Sequence, residues 1–525
     1  MKRRTFIKSA AVAAAASPLV LKGIPLQAGT PLPVLAQLPQ DNDKILLIIQ
    51  LFGGNDGLNT VIPAEDDAYY KLRPKIAVQK KDALNKLGNT YLHPALGKGS
   101  RGGMAQMLEL GTLSIVQGVG YNNPNLSHFR STDIWLSGIN SSDPNVRLET
   151  GWVGRYLEKR YPDFPASLPD HPLAIQLGGF SLALLSSKGR MGIEVNDPSG
   201  QKGVGSEVDA LDVDSPNTAY ATEYAFIADI ASRSNKYAQA VKDAYAAGLP
   251  KLKGDYKQSG FAGQMASVGA LIAGGLKTKV YVLSMGGFDT HVTQQFDDNT
   301  GAHPALLTAL GDSVSQFMYD MTRLGLADRV VGITVSEFGR RPHENGSFGT
   351  DHGAASVQFV FGTQVNSGVF GNEYDLKNLN SNGDLFYQID YRTVYAEILT
   401  DWFGLTQQET REVLQKDDLD PLNVLKSQVS GADTATTARA GVAIMGNYPN
   451  PFTTATTLEL SLDRTLDVVV EINSVNGRRV MRVLDRRLEA GVHRIAINAD
   501  LPTGTYICTM RTGGRSATHI MQCVR

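Results

Sequence analysis

Hydrophobic and polar positions follow two different regimes along this chain. Between Asp43 and Leu425, solid apolar runs of strand length alternate with stretches of helical period. The runs "KILLIIQLF", "LSIVQGVG", "HPLAIQLGG", "KVYVLSM", "RVVGITVSEF" and "SVQFVFG" predict strands buried on both faces. "ATEYAFIADIASRSNKYAQAVKDAYAAG", "GFAGQMASVGALIAGG", "PALLTALGDSVSQFMYDMTRLG" and "RTVYAEILTDWFG" predict the intervening helices. This alternation predicts an α/β domain, a largely parallel sheet with helices on both faces. Such sheets bind ligands beyond the carboxyl ends of their strands.

The second regime follows "SQVSGADTATTARAG", a small, polar stretch that reads as a linker. After it come short alternating segments: "TTLELSL", "DVVVEINS", "RRVMRVLD", "HRIAINA", "GTYICTMRT" and "SATHIMQCV". Gly and Asn-Gly turns separate them, which predicts a small antiparallel β-sandwich. Both cysteines, Cys508 and Cys523, fall on what read as its neighbouring final strands. In an exported domain that placement predicts a disulfide.

Composition adds limits more than content. The 525 residues leave room for two or three domains. A formal net charge of −2 gives no basic field, so nucleic acid is not an expected partner. The start, "MKRRTFIKSAAVAAAASPLVLKG", has a basic segment, a short Ala-rich apolar stretch and the pair Arg3-Arg4. It resembles a twin-arginine export signal, with cleavage expected after Ala28. The apolar run is too short to span a membrane, and no other stretch reaches transmembrane length.

Chemistry-bearing residues gather just past the predicted strands. "FGGNDGLNT" presents Asn55 and Asp56, and "YNNPNLSHFRSTDIW" presents Ser127 and His128 at a helix start. In "SMGGFDTHVTQ", Asp289 and His291 stand two residues apart, so an extended backbone points both to one side. "VVGITVSEFGRR" ends on Glu337, Arg340 and Arg341, and "ENGSFGTDHGAAS" carries Asp351 and His352. Taken singly, each also reads as a turn, a helix cap or an ion pair. Taken together they form the ligand inventory of a two-metal hydrolase. His303 and His343 read as surface residues.

Two resemblances sharpen this. "NYPNPFTTATTLELSL", with "VNGRRV", "LEAGVH" and "LPTGTYICTM", resembles the C-terminal sorting domain of type IX secretion substrates of the Bacteroidetes lineage. That implies the type IX secretion machinery as a partner, after the twin-arginine translocase, and delivery to the cell surface or the medium. The implied organisation is a signal over residues 1–28, an α/β domain over 43–425, a linker over 426–442 and a sorting domain over 443–525. "LFGGNDGLNTVIP", "LSIVQGVGYNNPNLSHFRSTDIW", "GGFDTHVTQ", "SEFGRRPHENGSFGTDHGAA" and "DYRTVYAEILTDWFG" resemble the domain of unknown function 1501 family. That family looks like a branch of the alkaline phosphatase and sulfatase superfamily. The resemblance implies an alkaline-phosphatase-like sheet, two divalent ions and Ser127 as nucleophile. Asp289, His291 and His352 would hold one ion, and Asp56 and Glu337 the other.

On the same resemblance His128 serves as acid or ligand, Asp351 orients His352, and Arg340 or Arg341 holds substrate oxygens. Zinc or manganese suits the imidazole-rich set, and magnesium or calcium a carboxylate-rich one. The sequence departs from the superfamily in having Glu337 for the usual Asp and Phe338 for a usual His. The implied activity is metal-dependent hydrolysis of phosphate or sulfate esters, small or polymeric. The competing reading is a non-catalytic surface-binding or scaffold protein that keeps the fold.

Overall fold

The computed structural model describes residues 42–525 apart from 144, 179–180, 201–235, 257–259, 418, 427–441, 449–451, 463, 475–478, 499–500, 513–514 and 525. It also describes two short strands, Leu19–Leu21 and Ile24–Leu26, which pair antiparallel. The rest of the expected export signal, the first half of the helix expected from residue 221, and the body of the linker lie outside the described residues. The chain divides into two compact units, Met1–Ser427 and Gln428–Arg525.

The first unit is built on a nine-stranded sheet. Its strands are β1 (Ile45–Leu51), β2 (Leu113–Gly120), β3 (Ala174–Leu177), β4 (Ile193–Glu194), β5 (Val280–Met285), β6 (Val330–Val335), β9 (Ser356–Phe361), β10 (Gly368–Phe370) and β11 (Ile389–Asp390). Strands β7 (Gly339–Glu344) and β8 (Thr350–Gly353) form a separate hairpin between β6 and β9. The sheet order is β4-β3-β5-β1-β6-β9-β2-β10, with β11 also on β2. Every described pairing in it is parallel except the two made by β9, which runs against both β6 and β2.

The solid apolar runs are explained by cover on both faces. In β1, Ile45, Leu47, Ile49 and Leu51 join one apolar cluster, while Leu46 and Ile48 join the other. Helices α1 (Gly103–Glu109), α4 (Gly260–Ala273) and α5 (Ala302–Arg323) supply the first cluster. Helices α2 (His128–Ser137), α3 (Trp152–Arg160) and α6 (Arg392–Glu397) supply the second. Each Leu or Ile buried there contributes about 1.5–3 kcal/mol over an exposed one, which makes β1 the strand the unit can least lose. The α/β expectation holds, with β9 reversed.

The second unit has a three-stranded sheet, Val442–Tyr448, Ala455–Leu462 and Gly491–Asn498. Its four-stranded sheet is ordered Arg479–Leu488, Leu466–Ser474, Gly504–Thr512, Arg515–Cys523. Every described pairing within these two sheets is antiparallel. Leu458, Leu460 and Ile497 of one sheet share a core with Val468, Val470, Ile472, Cys508 and Met510 of the other. The expected disulfide is absent. Its strands are neighbours, but Cys508 pairs with His519 and Cys523 with Gly504, so the cysteines sit four positions out of register. At ~3.3 Å per residue that offset is roughly 13 Å, well beyond a disulfide's reach.

Both thiols are buried, and burial pushes the Cys508 thiol up to about 12. Iodoacetamide at neutral pH should therefore label neither cysteine in the folded chain and both after unfolding without reductant. Mass spectrometry of the unfolded, unreduced protein checks this; an unlabelled pair would restore the disulfide.

Candidate metal centre

Because β1, β2, β5 and β6 run parallel, the loops that leave their carboxyl ends share one edge of the sheet. Strand β9 enters the sheet from that same edge, which suspends the β7–β8 hairpin over it. The loops are closely fitted. Gly53 has φ +123°, and a Cβ there would lie 2.2 Å from the Asp289 amide nitrogen. A Cβ on Gly349 would lie 2.2 Å from the His291 carbonyl oxygen. Backbone bonds from Thr293 to Ser347 (3.0 Å) and from Gln294 to Phe348 (2.7 Å) close the hairpin onto the loop after β5.

Three imidazoles and a carboxylate meet at this edge. The His128, Asp289 and His352 donor atoms lie within 4.8 Å of one another. Asp289 Oδ1 is 3.4 Å from His352 Nε2 and 3.2 Å from His291 Nε2, and Oδ2 is 3.6 Å from His128 Nε2. The two Nε2 atoms of His291 and His352 are 3.0 Å apart. Donors ~2.0–2.1 Å from one tetrahedral ion are roughly 3.3 Å apart, so the His128, Asp289 and His352 separations suit a shared cation, with His291 beside the group and not in it.

The outer ring nitrogens fix the tautomers. His128 Nδ1 donates to Glu337 Oε1 at 2.8 Å, an oxygen that also accepts the Gly53 N–H. His291 Nδ1 donates to Asp351 Oδ1 at 3.0 Å, and His352 Nδ1 to the Leu126 carbonyl at 3.0 Å. Every Nδ1 thus carries its proton outward, and every Nε2 turns a lone pair inward. Metal-binding histidines are held in this way. Two inward lone pairs 3.0 Å apart repel unless a proton or a metal cation lies between them.

Local charge supports the same geometry. Burial opposes ionisation of Asp289, but the bond and charge of Arg340, aided by His291, outweigh it and hold the carboxyl below its usual range. Asp351 follows the same pattern: burial opposes ionisation, and the His291 bond overcomes it. Burial lowers His352, which keeps its ring neutral and able to accept a cation. The Asp289 side chain is half exposed, so the centre opens to solvent.

Some expected residues have other places. Asp56 is fully buried in a two-pronged ion pair with Arg73, Oδ2 at 2.6 Å and Oδ1 at 3.0 Å, and it also accepts the amides of Leu58 and Asn59. Glu337 faces the back of His128 and orients that ring. Arg340 does not face solvent; it donates to the carbonyls of Gly53, Gly54 (2.9 Å), Phe288 (3.0 Å) and Thr350 (2.7 Å) and to Asp289 Oδ1 (2.7 Å). Asp351 orients His291, not His352. Ser127 is exposed at the cap of α2 and its side chain makes no capping bond. His343 is exposed as expected, but His303 is buried, with Nε2 3.0 Å from Asn55 Oδ1. His128 enters as a fourth inward-facing donor, a role its place beside Ser127 allowed. Nothing in "KLRPK" marks Arg73 as the partner of Asp56.

Residues 218–416 match the family described as protein of unknown function (DUF1501). Residues 447–522 match the secretion system C-terminal sorting domain. These are the two families that the sequence motifs resemble. The sorting domain indicates export to the cell surface or the medium, and it implies contact with the type IX secretion machinery. No helix among the described residues is long and apolar enough to cross a membrane. No curated protein matches the chain. Among solved structures, the C-terminal periplasmic domain of EcEptC from Escherichia coli, in complex with Zn, is 10% identical, with 75% of this chain and 89% of that one covered and a TM-score of 0.32. The PsFucS1 sulfatase from Pseudoalteromonas sp. is 10% identical, with 89% and 85% covered and a TM-score of 0.30.

The buried histidines beside Asp56 generate a pH prediction. Burial lowers His303 to about 4, with Asp56 opposing and Arg73 and Arg340 assisting. Burial likewise lowers His93 to about 3. Both are neutral when folded and take up protons when unfolded below the ordinary histidine value of 6.5, so the unfolded state binds more protons there. Stability therefore falls as pH drops from about 6.5 toward about 4 and is insensitive to these groups above that window. The melting temperature should drop by several degrees between about pH 7.5 and about pH 5. A flat profile in calorimetry would mean that one or both rings gain a proton in the fold.

Proposed function

We propose that this chain is an exported, metal-dependent hydrolase of phosphate or sulfate esters. The observation that carries the metal half is the convergence of the Nε2 atoms of His128, His291 and His352 on Asp289, each ring held by an acceptor behind it. His128, Asp289 and His352 would hold the ion, with His291 beside them. When bound, a divalent ion draws charge from an ester oxygen and favours the ionised form of a coordinated hydroxyl.

The chain's own residues do the rest. Arg340 fixes Asp289 from below, and Glu337, Asp351 and the Leu126 carbonyl set the three rings, so little reorganisation accompanies substrate entry. Ser127, one residue before His128 and exposed, is the proposed nucleophile, and its place at the start of α2 favours negative charge on its oxygen. The ester class follows the likeness of the strand-end motifs to the alkaline phosphatase and sulfatase superfamily. Arg341, whose side chain is 40% exposed and whose Nε lies 3.3 Å from Asp384 Oδ1, is the guanidinium proposed to meet a substrate anion, since Arg340 is enclosed.

The proposed organisation keeps a twin-arginine signal over residues 1–28, the α/β unit over 43–425, a linker over 426–442 and the sorting domain over 443–525. Cells making a chain that stops before residue 443 should retain it in the periplasm. Immunoblots of periplasm and medium decide, and normal release of the shortened chain would refute the sorting role.

The activity test is a panel of aryl and sugar phosphate and sulfate esters offered to zinc- or manganese-loaded protein. Ser127→Ala should leave metal content and folding intact and lower kcat by orders of magnitude, with a smaller change in KM. A loaded protein inert across the panel favours a binding or scaffold role. Full activity in Ser127→Ala would point to attack by water.

A further inference from the structure

Of Asp56 and Glu337, the pair that would hold a second ion, Asp56 is committed elsewhere through both oxygens and Glu337 through one. Arg73 lies against both oxygens of Asp56, at 2.6 Å and 3.0 Å, and neither side chain has any exposure. Its remaining donors are also used: Nε reaches the Pro342 carbonyl at 2.9 Å, and Nη2 the Arg341 carbonyl at 2.8 Å. A cation placed at Asp56 would meet a permanent positive charge a few ångströms away, in a region buried from solvent. Breaking such a buried pair leaves an uncompensated charge, so the ion has no inexpensive way in.

Glu337 alone makes a poor second site, although its buried Oε2 has no hydrogen-bond partner among the described residues. Oε1 accepts from His128 and from Gly53. Aromatic rings crowd the histidines in front of it: the Phe338 ring centroid lies 4.9 Å from that of His128 and 4.4 Å from that of His352, and the Phe52 ring lies 5.7 Å from His128. Phe338 is buried, and a Cβ on Gly54 would lie 2.5 Å from it.

Resting on the metal reading above, we propose that the centre takes a single divalent ion of the class that prefers imidazole nitrogen, and that the Arg73 guanidinium supplies at Asp56 the positive charge a second ion would bring. Two imidazole nitrogens and one carboxylate oxygen, with a third imidazole beside them, suit zinc or cobalt far better than magnesium or calcium, which seek oxygen. Glu337 is a positioning residue. It acts through His128.

The test is metal counting on the full chain, stripped and then titrated with zinc or cobalt. Elemental analysis after gel filtration should give one equivalent, and the visible absorption of the cobalt form should saturate at one equivalent. Calcium or magnesium in excess should displace neither. Glu337→Gln keeps an oxygen to accept from His128, so the variant should still bind one equivalent with its affinity lowered about 10–100-fold. Asp289→Asn should lose the ion. Two equivalents in the wild type, falling to one in Glu337→Gln, would overturn the single-ion proposal and leave the metal reading standing. No bound metal at all would overturn both.

Discussion

One buried guanidinium holds the working edge of this protein together. Arg340 touches the loop after β1 through Gly53 and Gly54, the loop after β5 through Phe288 and Asp289, and its own hairpin through Thr350. Three chain segments that are distant in sequence thus share one rigid, planar donor. The charge is matched by Asp289, and its N–H groups satisfy carbonyls that would otherwise be stranded at the strand ends. Asp289 owes both its position and its ionised form to this contact. The imidazoles then arrange themselves around a carboxylate that is already fixed.

Much of this was legible in the sequence. The six apolar runs became strands, because a run that is apolar at every position suits only a strand covered on both sides. The sheet's polarity then followed, and with it the edge where Asp289, His291 and His352 meet. What the sequence could not show is which carboxylates are free. Asp56 and Asp289 both follow a glycine-bearing strand end, yet one is sealed against Arg73 and the other lies open to solvent. That difference depends on a residue seventeen positions downstream of Asp56, whose side chain turns back under the sheet. Arg340 was misplaced for a related reason, since adjacent residues on a strand point oppositely and only the fold says which points inward. His303 lies on an amphipathic helix whose buried side holds a polar network, so periodicity alone did not separate it from a surface histidine.

The second unit shows a similar limit. The alternation that predicts its strands also makes every second residue inward, and Cys508 and Cys523 each land in the core. Neighbouring strands were foreseen. Register was not, because it is set by turn lengths that shift pairing by whole residues. The two sulfurs behave as small apolar side chains in a tightly packed interior.

The placement of β1 also carries a consequence for synthesis. Its seven residues, Ile45–Leu51, sit at the middle of the sheet, yet its neighbours β5 and β6 begin only at Val280 and Val330. A ribosome adding about 5–20 residues per second makes β5 available only after ~10–50 s. For all that time one of the most apolar and β-prone segments of the chain has left the exit tunnel without either partner strand. Such a segment, uncharged and free of proline, pairs readily with its like on other nascent chains. The cell must therefore shield it until the later half of the domain arrives, and expression at high ribosome density is the condition under which that shielding fails first.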